Sequence, residues 1–169
     1  MNSKDVILDI LRKAYQIEVD GYTFYSMTAD RAEKPAVREL FEKLAHDETE
    51  HQAFLREVLR RYDEKGNEAF KLNLRTPDLT AFTAKIFTDQ FRQQAGGAEF
   101  EVAALSIGMT LETRAIQHFA GAAAQATEAE VKKFYEFLAD WERKHLDALQ
   151  SLHNAVRADF WESSGFAPF

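Results

Sequence analysis

Four long α-helices packed as a bundle are expected from three features of this 169-residue sequence. Apolar residues recur at alternating three- and four-residue steps over stretches of about 28 residues. The three prolines, Pro35, Pro77 and Pro168, leave those stretches unbroken. The stretches are joined by two short connections and one long one, which pairs them into hairpins.

The first stretch, about residues 3–30, carries Ile7, Leu11, Ala14, Gly21 and Tyr25 on one stripe. Pro35 stands where the first turn of a second helix begins, because its missing N–H is unpaired there anyway. That helix, about 35–62, carries Val37, Phe41, Leu44, Leu55, Val58 and Tyr62. A third, about 98–126, follows Gly96-Gly97 with Leu105, Gly108, Ala115, Phe119 and Ala122 in register. Thr127 and Glu130 have the spacing of a capping box for a fourth, about 128–160, with Val131, Tyr135, Leu138, Leu149, Leu152 and Val156. At 1.5 Å per residue each helix is roughly 40 Å long. Helices 1 and 2 meet near Ala32–Lys34 and helices 3 and 4 near Thr127, so each pair is an antiparallel hairpin. Residues 63–97 form a crossover, partly helical because Thr76-Pro77-Asp78 is a helix start leading into Leu79–Phe91. One all-α domain over 1–169 is the expected organisation.

Composition narrows the function. Hydrophobic residues are 46% and charged residues 29%, which excludes a disordered or low-complexity chain. Without cysteine there can be no disulfide, zinc ribbon, rubredoxin-type iron site or thiol catalysis. No apolar run approaches a membrane span, and Lys4, Asp5 and Asp9 leave no secretory signal visible, so a cytoplasmic protein is expected. A net charge of −7 disfavours nucleic acid and favours cations as partners.

The stripes have polar gaps. Glu18 in helix 1, Glu48 and His51 in helix 2, Glu112 in helix 3, and Glu142 and His145 in helix 4 all fall on core-facing positions. Unpartnered buried carboxylates cost several kcal/mol each, and four together repel one another. Such a cluster takes up protons or binds cations, and two divalent ions would match the charge of four carboxylates. The spacing also repeats. Glu18 to Glu48 is 30 residues, as is Glu112 to Glu142, and an offset of 94 maps Glu18, Glu48 and His51 onto Glu112, Glu142 and His145. The same offset pairs Val37 with Val131, Leu44 with Leu138 and Leu55 with Leu149. Glu-x-x-His alone is a weak signal, since 17 glutamates give any histidine about a one-in-ten chance of it. Core register at six positions together with the repeat is much harder to reach by accident.

Glu18, the segment Leu44–His51, Glu112 and the run Glu142–His145 resemble the di-iron carboxylate pattern of the ferritin-like superfamily, rubrerythrin-type proteins above all. The resemblance spans Ser3 to Val156. It implies a ferritin-like four-helix bundle with Glu18 and Glu112 as terminal ligands, Glu48 and Glu142 as bridges, and one histidine, His51 or His145, per metal. Rubrerythrins typically carry another Glu one turn before the helix-3 ligand, where this chain has Met109, which puts a standard rubrerythrin peroxidase cycle in question. The symmetric ligand set is also like that of bacterioferritin, but its haem-ligating Met would fall at Thr49, so no haem is expected. The tail after Val156 is too short for the fifth helix of a ferritin cage.

Tyr25, two turns after Glu18 on the same stripe, reads either as a core tyrosine or as one that hydrogen-bonds a ligand carboxylate or donates an electron, and the resemblance favours a role beside the ligands. Asp47 is placed to accept a hydrogen bond from a ligand histidine across the bundle, whereas Trp141 at the matching position cannot accept one. His46, His118 and His153, the acids Glu50 and Asp147, and the basic group Arg56, Arg60 and Arg61 read as ordinary helix-surface residues. Met27 and Met109 read as core filler. The aromatic tail Phe160 to Phe169 reads as a cover for the bundle end or a self-association surface.

Carboxylate-rich sites with one imidazole per metal suit iron, with manganese or zinc as substitutes. Two Fe(II) ions per chain, each supplying one electron, make two-electron chemistry on peroxide or dioxygen accessible. The expected function is therefore a di-iron oxidoreductase, peroxidase-like or ferroxidase-like, served by a separate electron donor and forming a homodimer. The alternatives are iron binding or delivery without turnover, and a di-iron oxygenase acting on an organic substrate.

Overall fold

The structure is a computed structural model that describes residues 3–70 and 99–163, with side chains described for 4–35, 37–70 and 100–157. The helix expected over Leu79–Phe91 and the tail beyond residue 163 lie outside the described residues. Four helices make up nearly all of the rest: α1 (Ser3–Arg31), α2 (Pro35–Lys65), α3 (Glu99–Gln125) and α4 (Ala129–Ser163). This is a ferritin-like four-helix bundle, with no strand among the described residues.

Local chemistry sets the helix ends. Pro35 opens α2 behind an extended Lys34, and the Arg38 guanidinium donates to the Ala32 carbonyl across the α1–α2 turn at 2.7 Å. The helix runs three residues beyond Tyr62 and stops at Gly66, whose φ of 59° suits a residue without Cβ and lets its N–H reach the Tyr62 carbonyl. A 3₁₀ turn, Gly66–Phe70, then folds the chain back and buries Ala69 and Phe70, with the Phe70 ring 5.0 Å from Phe134 and 5.5 Å from Tyr62. At the start of α4 the capping box does not form as expected. The Thr127 hydroxyl donates to the Glu128 carboxylate at 2.8 Å, and the Glu128 carbonyl accepts from Lys132 N–H, which starts the helix one residue later.

Two hydrophobic clusters fill the interior. One gathers Leu11 and Ala14 of α1, Leu55 and Val58 of α2, Phe119 of α3, and Phe134 and Leu138 of α4. The other gathers Tyr25, Leu40, Phe41 and Leu44 with Leu105 and with Leu149 and Leu152. Their membership gives the directions. α1 and α4 run from the first cluster to the second, and α2 and α3 run back. α2 therefore ends at the opposite end of the bundle from the start of α3, which is why the connection between them is long while the hairpin turns are a few residues. Between the clusters, at mid-height, lie Glu18, Glu48, His51, Glu112, Glu142 and His145, each at most 3% exposed.

Candidate metal centre

One turn separates Glu48 from His51 and Glu142 from His145, so each Glu-x-x-His points both groups inward from one helix face. α1 and α3 contribute one glutamate each from across the bundle. The side chains converge as two overlapping groups: Glu18, Glu48, His51 and Glu142 form one, and Glu48, Glu112, Glu142 and His145 the other. Within each group, one potential ligand atom per residue lies within 4.8 Å of all the others. Glu48 and Glu142 belong to both. Six residues thus frame two adjacent positions with two shared carboxylates.

The distances fit metal ions. His145 Nδ1 lies 3.5 Å from oxygens of Glu48, Glu112 and Glu142 alike. His51 Nδ1 lies 2.9 Å from Glu18, 3.4 Å from Glu48 and 3.6 Å from Glu142. Donor atoms bound about 2.1 Å from a common ion sit roughly 3.0–3.4 Å apart, so small closures would complete both positions. Glu18 Oε1, Glu48 Oε2, Glu142 Oε1 and His145 Nδ1 are buried without a hydrogen-bond partner. Buried polar atoms are rarely left so, and here they face one another.

Protons relieve the crowded charge when no cation does. Burial, reinforced by the Glu48 charge, holds the Glu18 carboxyl well above the usual carboxylate range. Burial, with the charges of Glu18 and Glu112, does the same to Glu142. Burial alone would lower His145, but the facing Glu112 charge and the Asp47 contact push it well above an ordinary imidazole. Burial would raise Glu112, but His145 together with hydrogen bonds from Glu142 and Tyr25 carries it below.

The surrounding contacts differ between the halves. The Tyr25 hydroxyl donates a hydrogen bond to Glu112 Oε1. Asp47 Oδ2 faces His145 Nε2 at 3.7 Å, and Lys43 Nζ grips the other Asp47 oxygen. Burial would raise Asp47, and His145 and Lys43 more than offset it, so its carboxyl titrates below the usual value. His51 instead lies flat on the Trp141 indole, ring centroids 4.0 Å apart at 9°. Tyr25 thus hydrogen-bonds a carboxylate of the cluster, while Asp47 lies beside a histidine of the cluster without hydrogen-bonding it.

Gly21 makes room for a shared carboxylate. A Cβ there would sit 3.1 Å from Cδ and Oε1 of Glu48. Gly21→Ala is expected to raise metal-free stability slightly through helix propensity, by up to about 1 kcal/mol, and to weaken metal binding about tenfold by displacing Glu48. Thermal melts with chelator and a metal titration separate the two effects.

A cavity of about 170 Å³ opens between α1 and α3, with Glu48, Glu112 and Glu142 in its wall and Asp20 and Arg114 among its lining residues. Lys43, Asp20 and Arg114 carry no sequence signal that singles them out, and Gly21 reads only as a member of the α1 stripe. A helical glycine reads as neutral, and charged residues read as solvated surface. Glu101, 4% exposed near the start of α3, is a further buried acid that periodicity missed and that belongs to neither group. Of the residues expected to be peripheral, His46 is exposed and pairs with Glu50, and Arg60 and Arg61 pair with Glu57 on the outer face of α2. Met109 packs against the second cluster. Met27 is 53% exposed, not core filler, because the α1 stripe passes through Tyr25 and Ala29 and leaves residue 27 outside it.

A family model described as rubrerythrin matches residues 9–153. No curated protein and no solved structure matches the chain.

Proposed function

The chain belongs to the rubrerythrin family, and on that premise we propose that it is a di-iron oxidoreductase that reduces peroxide or oxidises Fe(II) with dioxygen. The observation that supports this most directly is the pair of overlapping Glu/His groups with Glu48 and Glu142 in common. Glu18 and His51 would hold one ion, Glu112 and His145 the other, and the shared carboxylates both. With iron held by these residues, the site would supply two electrons, one from each ion, for two-electron chemistry on an O–O bond without an organic cofactor. The chain's own residues set the conditions. The two apolar clusters close the bundle on either side of the site, Tyr25 holds Glu112 and its phenolic proton at the cavity, and Asp47 puts a carboxylate beside the outer nitrogen of His145.

Cavity size favours a small oxidant. About 170 Å³ admits peroxide, dioxygen and a few waters, whereas sites for drug-sized organic molecules run to roughly 300–1,000 Å³. Met109 on α3 is apolar and packed, so Glu112 is the carboxylate that helix offers at this level, and ligand exchange between two α3 glutamates is not part of the scheme. An electron donor separate from this cysteine-free chain completes the cycle, and a homodimer is the proposed assembly, which sedimentation would check. No described helix is long and apolar enough to cross a membrane.

The test is anaerobic reconstitution with Fe(II), metal analysis and stopped-flow mixing. Two irons per chain and rapid reoxidation by peroxide or dioxygen are expected. Reoxidation by neither would remove the redox reading, and loading well above two would turn it into storage. Narrowing the cavity with Leu111→Phe is expected to slow reoxidation several-fold while two irons per chain remain, a result visible in the same traces.

A further inference from the structure

We propose that the two halves of the centre bind metal unequally, the Glu112–His145 half taking up a divalent ion first and more tightly. The inference rests on the di-metal reading above and adds an order to it.

The ligands repeat at an offset of 94 residues, but their neighbours do not. Tyr25 corresponds to Phe119, Asp47 to Trp141 and Lys43 to Phe137. Across the repeat a phenol hydroxyl, a carboxylate and an ammonium give way to the rings of Phe119, Trp141 and Phe137, and all three polar members lie on the same half. Tyr25 donates to Glu112. Asp47 Oδ2 stands 3.7 Å behind His145 Nε2, the nitrogen turned away from the ligand group, without a hydrogen bond between them, and Lys43 secures the other Asp47 oxygen. A carboxylate that accepts the outer N–H of a ligand imidazole fixes the ring with its other nitrogen as the free donor and raises its basicity, an arrangement worth 10- to 100-fold in metal affinity; a small approach of Asp47 would complete it here. His51 is flanked by the Trp141 face, which fixes a plane but has no acceptor for a ring N–H.

The inner nitrogens differ in the same sense. His145 Nδ1 has no hydrogen-bond partner and lies equidistant from three carboxylates. His51 Nδ1 is already hydrogen-bonded to Glu18 Oε2 at 2.9 Å. An ion entering the first half meets a donor that is free. An ion entering the second must separate two ligands from each other.

Anaerobic titration of the metal-free chain with Co(II), followed by its visible absorption and by calorimetry, tests the order. Two steps whose affinities differ at least tenfold are expected. Glu18→Ala should keep one tight ion, and Glu112→Ala should keep only a weak one. Asp47→Asn and Tyr25→Phe, milder changes that leave all six ligands in place, should each weaken the tight step about tenfold and spare the weak one. Two equal affinities in the parent chain would overturn the proposal, as would a tight ion that survives Glu112→Ala but not Glu18→Ala. Absence of any Co(II) binding would refute the di-metal reading itself, an outcome distinct from two equal sites.

Discussion

Replacing Glu48 with Gln is expected to leave the chain folded, unable to hold two ions, and more stable than its parent when both are metal-free. Glu48 belongs to both ligand groups, so one substitution weakens two positions, whereas Glu18→Ala or Glu112→Ala weakens one. Glutamine keeps the volume beside Gly21 and removes a charge that raises Glu18, Tyr25 and Glu142. Relieving that repulsion by about 1 kcal/mol would raise the melting temperature by roughly 2–4 °C for a chain of this size. Iron content should fall from two per chain to one or none, and reoxidation by peroxide at least a hundredfold. A Glu48→Gln chain that still binds two irons would show that this carboxylate is not shared.

Stripping the metals at pH 8 is expected to lower the melting temperature by about 10–20 °C. Each ion at a hundred times its dissociation constant contributes about 2.7 kcal/mol, and two contribute roughly twice that. The pH dependence gives the prediction its sign. Glu18, Glu142 and His145 are raised in the folded chain. Their contribution to stability is full below the ordinary carboxyl and imidazole values and is lost as pH climbs through the folded-state values. Glu112 and Asp47 are lowered, and their contribution is lost only when pH falls below the ordinary carboxyl range. Between about pH 5 and pH 8 only the first group acts, so the metal-free chain should melt progressively lower as pH rises. The loaded chain, with cations in place of those protons, should not follow it. Melts in chelator and in excess Fe(II), run anaerobically across that range, would show the gap widening with pH. A constant gap would mean that proton uptake is not what relieves the empty site.

Much of the site was legible because it violates a rule. Glutamate and histidine on an apolar stripe conflict with burial unless something neutralises them, and the conflict occurs at corresponding points on all four helices. What could not be read was the part that depends on neighbours across the bundle. Gly21 matters because Glu48 of another helix presses on it, and Lys43 because Asp47 turns inward. The end of α2 lies three residues past the end its stripe predicts, for a local reason. Asp63, Glu64 and Lys65 read as the start of a polar connection, but charged residues are good helix formers, and the stop belongs to Gly66. Thr127 failed in the opposite way, since its spacing to Glu130 was right and its hydroxyl was drawn to the adjacent Glu128 instead.

The hydrocarbon of this bundle is divided into two parcels with a waist of carboxylates and imidazoles between them. Across that waist the helices are joined by ionisable groups that protons alone neutralise when no cation is bound, so ion content would set how far the two ends unfold as one body. With the ions bound, amide protons on both sides of the waist should exchange through a shared global opening. With them removed, the residues around Glu18 and Glu112 should exchange first, leaving each end to keep its own, smaller protection.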